Sequence, residues 1–216
     1  MKKKIGSILL CMALVFCLSS CGKNAQTPVE TDEELMPEQS QETQAEAQAE
    51  ETAVPSEPEV IDGQEVLSED GMYRVVVPKG WENSEDRQEE SMCIELQGPT
   101  DDQYAGIMVI DKDAVGTMDI AAYMDSYAEG ARQQMENANV GEKAEVDVNG
   151  NKAYYLVING KVENVSYINW VYAIDGGESI YVATGTAYPA NTTDAETAFR
   201  EIVYSFGPVE ELPEEE

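Results

Sequence analysis

Four aspartates are the first side chains to weigh as chemistry: the adjacent Asp101 and Asp102, and the pair Asp111 and Asp113. Loop carboxylates at such spacing supply hard oxygen ligands, and a calcium-type cation is what they would hold. The same pattern describes ordinary solvated loop acids. These four residues are therefore weak metal candidates only. Asp147-Val-Asn149-Gly-Asn151 carries the first three ligand positions of a calcium loop, but Lys152 stands where that loop needs Gly and Ile158 where it needs Glu. A hairpin turn accounts for this stretch better. The chain contains no histidine. That excludes a Ser-His-Asp or Cys-His centre, histidine-ligated zinc and the commonest general base. Gly160-Lys161 is followed by Val162, so it is not a phosphate-binding loop. With 43 acids a carboxylate pair can always be nominated, and a histidine-free extracellular hydrolase stays as an alternative on that ground alone. No catalytic residue and no cofactor site is assigned.

The thiols carry more information. Lys2, Lys3 and Lys4 precede Ile5 to Cys17, 13 mostly apolar residues. A bilayer-spanning helix needs about 20, so this reads as a signal peptide over residues 1–20. It ends in Leu18-Ser19-Ser20-Cys21, which resembles the lipobox of bacterial lipoproteins. That resemblance implies a diacylglyceryl group on the Cys21 thiol, cleavage before Cys21, and a membrane anchor there. Each buried acyl CH2 adds about 0.8 kcal/mol, so two or three chains hold firmly. Cys11 and Cys17 leave with the signal segment. Cys93 then has no cysteine to pair with inside the folded part, and is expected as a small buried apolar side chain in a strand.

Charge and composition divide the rest. Without the signal segment, 10 bases face 43 acids. Phosphates would be repelled, so no nucleic acid is expected as a partner. Residues 21–60 hold the lipidated Cys21 and an acidic linker, with eleven acids against Lys23 and no aromatic side chain. Such a segment cannot bury enough apolar area to offset its ordering entropy and is expected to be disordered. A flexible chain of that length spans about 35 Å on average, which makes it a spacer. Residues 61–208 are the expected folded domain, and 209–216 an acidic tail.

Within 61–208 the apolar period sets the elements. Val66-Leu67 and Met72 to Val77 flank the turn Asp70-Gly71, and Pro78 ends the second strand. Met92 to Leu96 and Gly106 to Asp111 are further strands. Ile120, Tyr123, Met124, Tyr127, Ala128, Ala131 and Met135 form one helical stripe, predicting a helix over about Met118 to Glu136 with Thr117 as N-cap. Glu145 to Val148 and Lys152 to Ile158 flank Asn149-Gly150, the strongest hairpin signal in the chain. Val165 to Ile174 and Ser179 to Ala187 flank Asp175-Gly-Gly-Glu178. Tyr154 to Ile158 and Tyr167 to Ile174 are apolar on both faces, as central strands are. Their tyrosines, with Tyr181 and the two tryptophans Trp81 and Trp170, are expected in the core and in cross-strand pairs rather than in a ligand groove. A last helix, about Asp194 to Ser205, carries the stripe Ala195, Phe199, Ile202, Val203 and Phe206, with Thr193 and Glu196 as a capping box. The order predicts an α+β fold: an antiparallel β-sheet with helices packed on its faces.

Tyr73-Arg-Val-Val-Val-Pro-Lys-Gly-Trp81 is similar to the opening strand of PsbP-like domains, which ends in Pro-x-Gly-Trp. The amphipathic mid-chain helix, the paired hairpins and the closing Ala198-Phe199-x-x-Ile202-x-x-Ser205-Phe206 helix resemble that family too, over about residues 65 to 207. The resemblance implies an α-β-α sandwich and a protein that acts by binding. The family's histidine metal positions have no counterpart here. The resulting expectation is a lipid-anchored extracytoplasmic binding or accessory module of a bacterial envelope. It meets the membrane through Cys21 and recognises a protein, wall polymer or small ligand. A weak calcium sensor is the other alternative.

Overall fold

The computed structural model describes residues 62–84, 92–116 and 118–209. The signal segment, Leu18, Ser19, Ser20, Cys21, the acidic linker, Thr117 and the tail from residue 210 lie outside them. Eleven strands and three helices follow one another among the described residues: β1 (Gly63–Leu67), β2 (Tyr73–Pro78), β3 (Glu82–Asn83), β4 (Met92–Gln97), β5 (Tyr104–Asp111), α1 (Lys112–Val115), α2 (Ile120–Gln134), β6 (Glu136–Val140), β7 (Ala144–Val148), β8 (Asn151–Val162), β9 (Val165–Asp175), β10 (Ser179–Ala187), α3 (Thr192–Ser205) and β11 (Gly207–Pro208). The large sheet runs β3-β4-β5-β10-β9-β8-β6, with β7 also paired to β8; a separate sheet runs β1-β2-β11. Every pairing is antiparallel. The expected α+β architecture is therefore present.

The long strands β8, β9 and β10 sit in the middle because both of their faces are apolar and both are covered. On one face, Tyr155, Trp170, Tyr172 and Ala183 pack with Phe199, Ile202 and Val203 of α3 and with Val75 and Val77 of β2. On the other, Leu156, Ile158, Val171 and Val182 pack with Ile120, Met124, Tyr127 and Ala131 of α2. A Cβ on Gly185 would stand 2.6 Å from Cγ of Phe199, so the absent side chain is what lets α3 lie close on β10. Tyr155 and Tyr172 are neighbours at 4.7 Å between ring centroids, as expected for core cross-strand tyrosines. The Pro-x-Gly-Trp turn closes with Trp81 N–H donating to Pro78 C=O at 3.1 Å. Gly80 takes φ +91°, which a side chain would resist, and Trp81 drops into the core.

The Asn149-Gly150 turn forms as expected, with φ of 54° and 80°. Asp147 Oδ1 accepts from Gly150 N–H at 2.8 Å, a turn contact rather than a ligand position. Several boundaries differ. Asp119 caps α2, accepting from Ala122 N–H at 2.8 Å. The helix stops at Gln134, and Glu136–Val140 pairs with β8 as a strand instead of closing the helix. At α3 the capping box does not form. The helix begins at Thr192, out of a 3-10 turn, and Asn191 makes no side-chain cap bond. The Glu196 carboxylate instead accepts from Tyr155 O–H at 2.9 Å. A two-residue turn at Glu163-Asn164, φ 51° and 65°, joins β8 to β9. Cys93 lies in β4 but is only half-buried. It falls where the pairing with β5 shifts register, and its thiol donates to Ile107 C=O at 3.2 Å.

Candidate docking surface

Among the described residues, the three-stranded sheet groups most of the exposed large apolar side chains. The β1–β2 connection is built on Ser68 and Asp70. Ser68 N–H donates to Tyr73 C=O at 2.9 Å, Tyr73 N–H donates to Ser68 Oγ at 2.9 Å, and Met72 N–H donates to Asp70 Oδ1 at 2.9 Å. This Asx-type turn holds Met72 at the mouth of β2. After α3, the chain turns back and β11 adds to β2, pairing Gly207 with Arg74 and Pro208 with Tyr73. Val209 N–H then donates to Met72 C=O at 2.8 Å, which sets Val209 across from Met72. Pro208, lacking an N–H, sits in the edge strand that tolerates it.

Side chains alternate across this sheet. Val66, Tyr73, Val75 and Val77 turn inward onto the α3 side of the core. Val76 N–H donates to Ser205 Oγ at 2.8 Å, tying β2 to the end of α3. Tyr73 stacks on Phe206 at 5.5 Å and meets Tyr181 edge-on at 5.9 Å, while Phe206 meets Tyr181 at 5.1 Å. Three mutually touching rings thus form a rigid base beneath the sheet. Leu67, Met72, Arg74 and Val209 point the other way. Leu67 is 50% exposed, Met72 58% and Val209 38%, three of the five large hydrophobic side chains that stand exposed among the described residues. The other two, Met118 and Val165, are 37% exposed and lie before α2 and at the start of β9. A scattered exposed apolar residue needs no explanation, whereas three on one small sheet make this face the candidate surface. Arg74 Nη1 pairs with Glu65 Oε2 at 3.1 Å beside it.

The sequence-derived metal candidates do not assemble. Asp102 is half-buried and occupied: it accepts from Tyr188 N–H at 3.0 Å and from Asn191 Nδ2 at 3.1 Å, tying the β4–β5 loop to the turn before α3. Burial pushes its carboxyl up, but hydrogen bonds from Thr100, Tyr188 and Asn191 outweigh that and hold it below its ordinary value. Asp111 is the N-cap of α1 and accepts from Asp113 N–H at 2.8 Å. Asp101 and Asp113 are exposed. Among the described residues no three acidic or cysteine side chains converge on a common point. Asp101 and Asp113 are thus surface residues, whereas Asp102 is a structural tie.

Among the described residues, three carboxylates are held below their ordinary values. Besides Asp102, Asp175 is lowered chiefly by the Lys112 ammonium and Glu145 by hydrogen bonds from Lys152 and Tyr154. Burial raises Tyr155, Tyr172 and Tyr127 well above the ordinary phenol range, and Tyr123 and Tyr167 to about 12. These phenols are neutral packing groups at physiological pH.

The candidate face was not legible in the sequence as such. Met72 to Pro78 is apolar at nearly every position, so alternation alone does not say which side faces out. The usable signal was the apolar pair Leu67 and Met72 flanking a polar turn, where solvent-facing polar residues are the rule.

No family model matches the chain, and no curated protein matches its sequence. Solved structures do match in shape. The cyanobacterial PsbP protein of Synechocystis aligns at a TM-score of 0.50 and 13% identity, over 72% of this chain and 99% of its own. LpqN of Mycobacterium tuberculosis, a protein involved in cell envelope biogenesis, aligns at 0.51 and 11% identity, over 68% of this chain and 90% of its own. A Bacteroides thetaiotaomicron protein aligns at 0.49 and 12% identity, and this chain spans about half of it, 50%. At such identities the likeness concerns the fold, and with its antiparallel sheets and packed helices the chain has the PsbP-like α+β fold.

Proposed function

We propose that the protein is a lipid-anchored, extracytoplasmic binding module of a bacterial envelope, non-catalytic, that recognises its partner through the outer face of the β1-β2-β11 sheet. The observation that carries this is the grouping of Leu67, Met72 and Val209 on one face. Its support is a rigid aromatic base of Tyr73, Tyr181 and Phe206. The Leu18-Ser19-Ser20-Cys21 stretch supports the anchor and the acidic linker supports a spacer role. The fold shared with an envelope-biogenesis protein fits that location. The test is a pull-down from detergent-solubilised envelope with the full chain as bait, beside an anchor-and-linker control covering residues 1–60. The reading predicts a protein or polymer captured by the full chain and not by the control. Equal capture by both would defeat it.

A further inference from the structure

We propose that Asn149 is a self-modification site: it converts to aspartate or isoaspartate when the β7–β8 turn comes away from the end of α3, and the conversion then keeps the two apart. The chemistry is set by Gly150. A glycine after asparagine carries no Cβ, so its backbone nitrogen can close on the asparagine Cγ. That nitrogen displaces the side-chain amide as ammonia, its own proton leaving with it, and a five-membered imide forms. Water then opens the imide. Attack at the side-chain carbonyl gives aspartate, and attack at the main-chain carbonyl gives isoaspartate. The net change is one water taken up and one ammonia released.

Two Asn-Gly pairs occur in the sequence, Asn149-Gly150 and Asn159-Gly160. The fold treats them differently. Asn159 and Gly160 lie inside β8, opposite Ile168 and Tyr167 of β9, and Asn159 also faces Asn139 of β6. Strands on both sides hold the backbone that ring closure must rotate. Asn149 and Gly150 are exposed, in the turn after β7, which among the described strands pairs with β8 alone. Exposed turns at a sheet edge open locally at lower cost than central strands do.

Both reacting groups are held while the turn is closed. Asn149 Nδ2 donates to Tyr204 C=O at 2.7 Å, and Gly150 N–H donates to Asp147 Oδ1 at 2.8 Å. Tyr204 O–H donates back to Asp147 C=O at 3.0 Å. Tyr204 C=O belongs to the last turn of α3, whose carbonyls have no partner within the helix, so the Asn149 amide caps it. Conversion removes that cap. An ionised carboxylate has no hydrogen to donate, and it would stand at the negative end of the helix dipole. Isoaspartate also routes the main chain through the side-chain methylene. That lengthens the two-residue turn that sets Val148 against Asn151. Neither product remakes the tie, so the step runs one way.

The experiment holds the full chain in detergent micelles in warm neutral buffer for several weeks and follows both sites by peptide mass spectrometry. A synthetic peptide of residues 145–153 is the unrestrained reference. Asn149 should convert roughly tenfold more slowly than in the peptide, with Asn159 unconverted. Asp147→Ala frees the Gly150 N–H, and Tyr204→Phe loses the bond to Asp147 C=O. Each should speed conversion at Asn149 by roughly fivefold and leave Asn159 unchanged. Acceleration at Asn159 as well would mean whole-domain unfolding in place of turn opening and would overturn the proposal. So would equal rates in wild type and both variants, conversion at the peptide's rate, or no conversion at Asn149 in any of the three proteins. Asn149→Asp stands in for the product and should raise hydrogen exchange at the end of α3 by roughly tenfold. Exchange there equal to wild type would overturn the claim that conversion parts the turn from the helix.

Discussion

Asp102→Ala is the sharpest test of what the structure does with an acid that sequence reasoning offers to a cation. The carboxylate accepts from Tyr188 N–H at 3.0 Å and from Asn191 Nδ2 at 3.1 Å. A hydrogen bond to a charged acceptor contributes about 1.5–3 kcal/mol when buried, and the half-exposed setting here calls for the lower end. Removing both acceptors should cost about 2–3 kcal/mol. For a domain of this size each kcal/mol moves Tm by about 2–4 °C, so a fall of roughly 4–12 °C is expected by circular dichroism. Asp102→Asn keeps one oxygen toward Tyr188 and should lose about half as much. The sign of the pH effect follows from the lowered carboxyl. A depressed folded-state pKa contributes stability that is full above the unfolded value, near 3.9, and lost as pH falls through the folded one. The gap between wild type and Asp102→Ala should therefore be constant from pH 7 to about 5 and narrow below pH 4. A Tm within 1 °C of wild type, or a gap that persists undiminished at pH 2.5, would refute the tie. So would a stabilisation by millimolar calcium that vanishes in Asp102→Ala.

Phe199→Ala should destabilise the domain by about 3–5 kcal/mol in urea unfolding, because the ring fills the space over Gly185 and touches Trp170 and Tyr172. Glu163→Asn with Asn164→Gly should raise stability by about 1 kcal/mol, since both turn positions have positive φ and Asn-Gly adopts that geometry at lower cost. Spectrophotometric titration at 295 nm should find Tyr123, Tyr127, Tyr155, Tyr167 and Tyr172 still protonated at pH 11, so no more than six of the eleven tyrosines ionise before unfolding. Because those phenols are raised in the folded state, stability is full below pH 10 and falls above it.

Much of this fold could be read from periodicity. The stripe from Ile120 to Met135 marks α2 because its spacing repeats over four turns, and the Asn149-Gly150 turn shows itself because both residues accept positive φ. What escaped depends on partners distant in sequence. Glu136-Asn-Ala-Asn-Val140 has no strand signature of its own, and it is a strand because Asn139 and Val140 meet Asn159 and Ile158 on β8. Thr193 and Glu196 spell a capping box, yet Glu196 is drawn to Tyr155, 41 residues away. Asp102 looks like a loop acid until Tyr188 and Asn191 are folded against it. The candidate surface is of the same kind: β2 is apolar on both faces, and only the docking of α3 through Ser205 and Phe206 decides that Tyr73 faces in and Met72 faces out.

Site-specific photo-crosslinking in the producing cell tests the central claim most directly. A photoreactive residue placed at 72 or at 209 should give discrete adducts of defined mass, whereas the same residue at 118 or 165, each 37% exposed in the wild type, should give none. Adducts of equal yield from all four positions, or adducts from 118 and 165 alone, would contradict the assignment of the binding face to the β1-β2-β11 sheet.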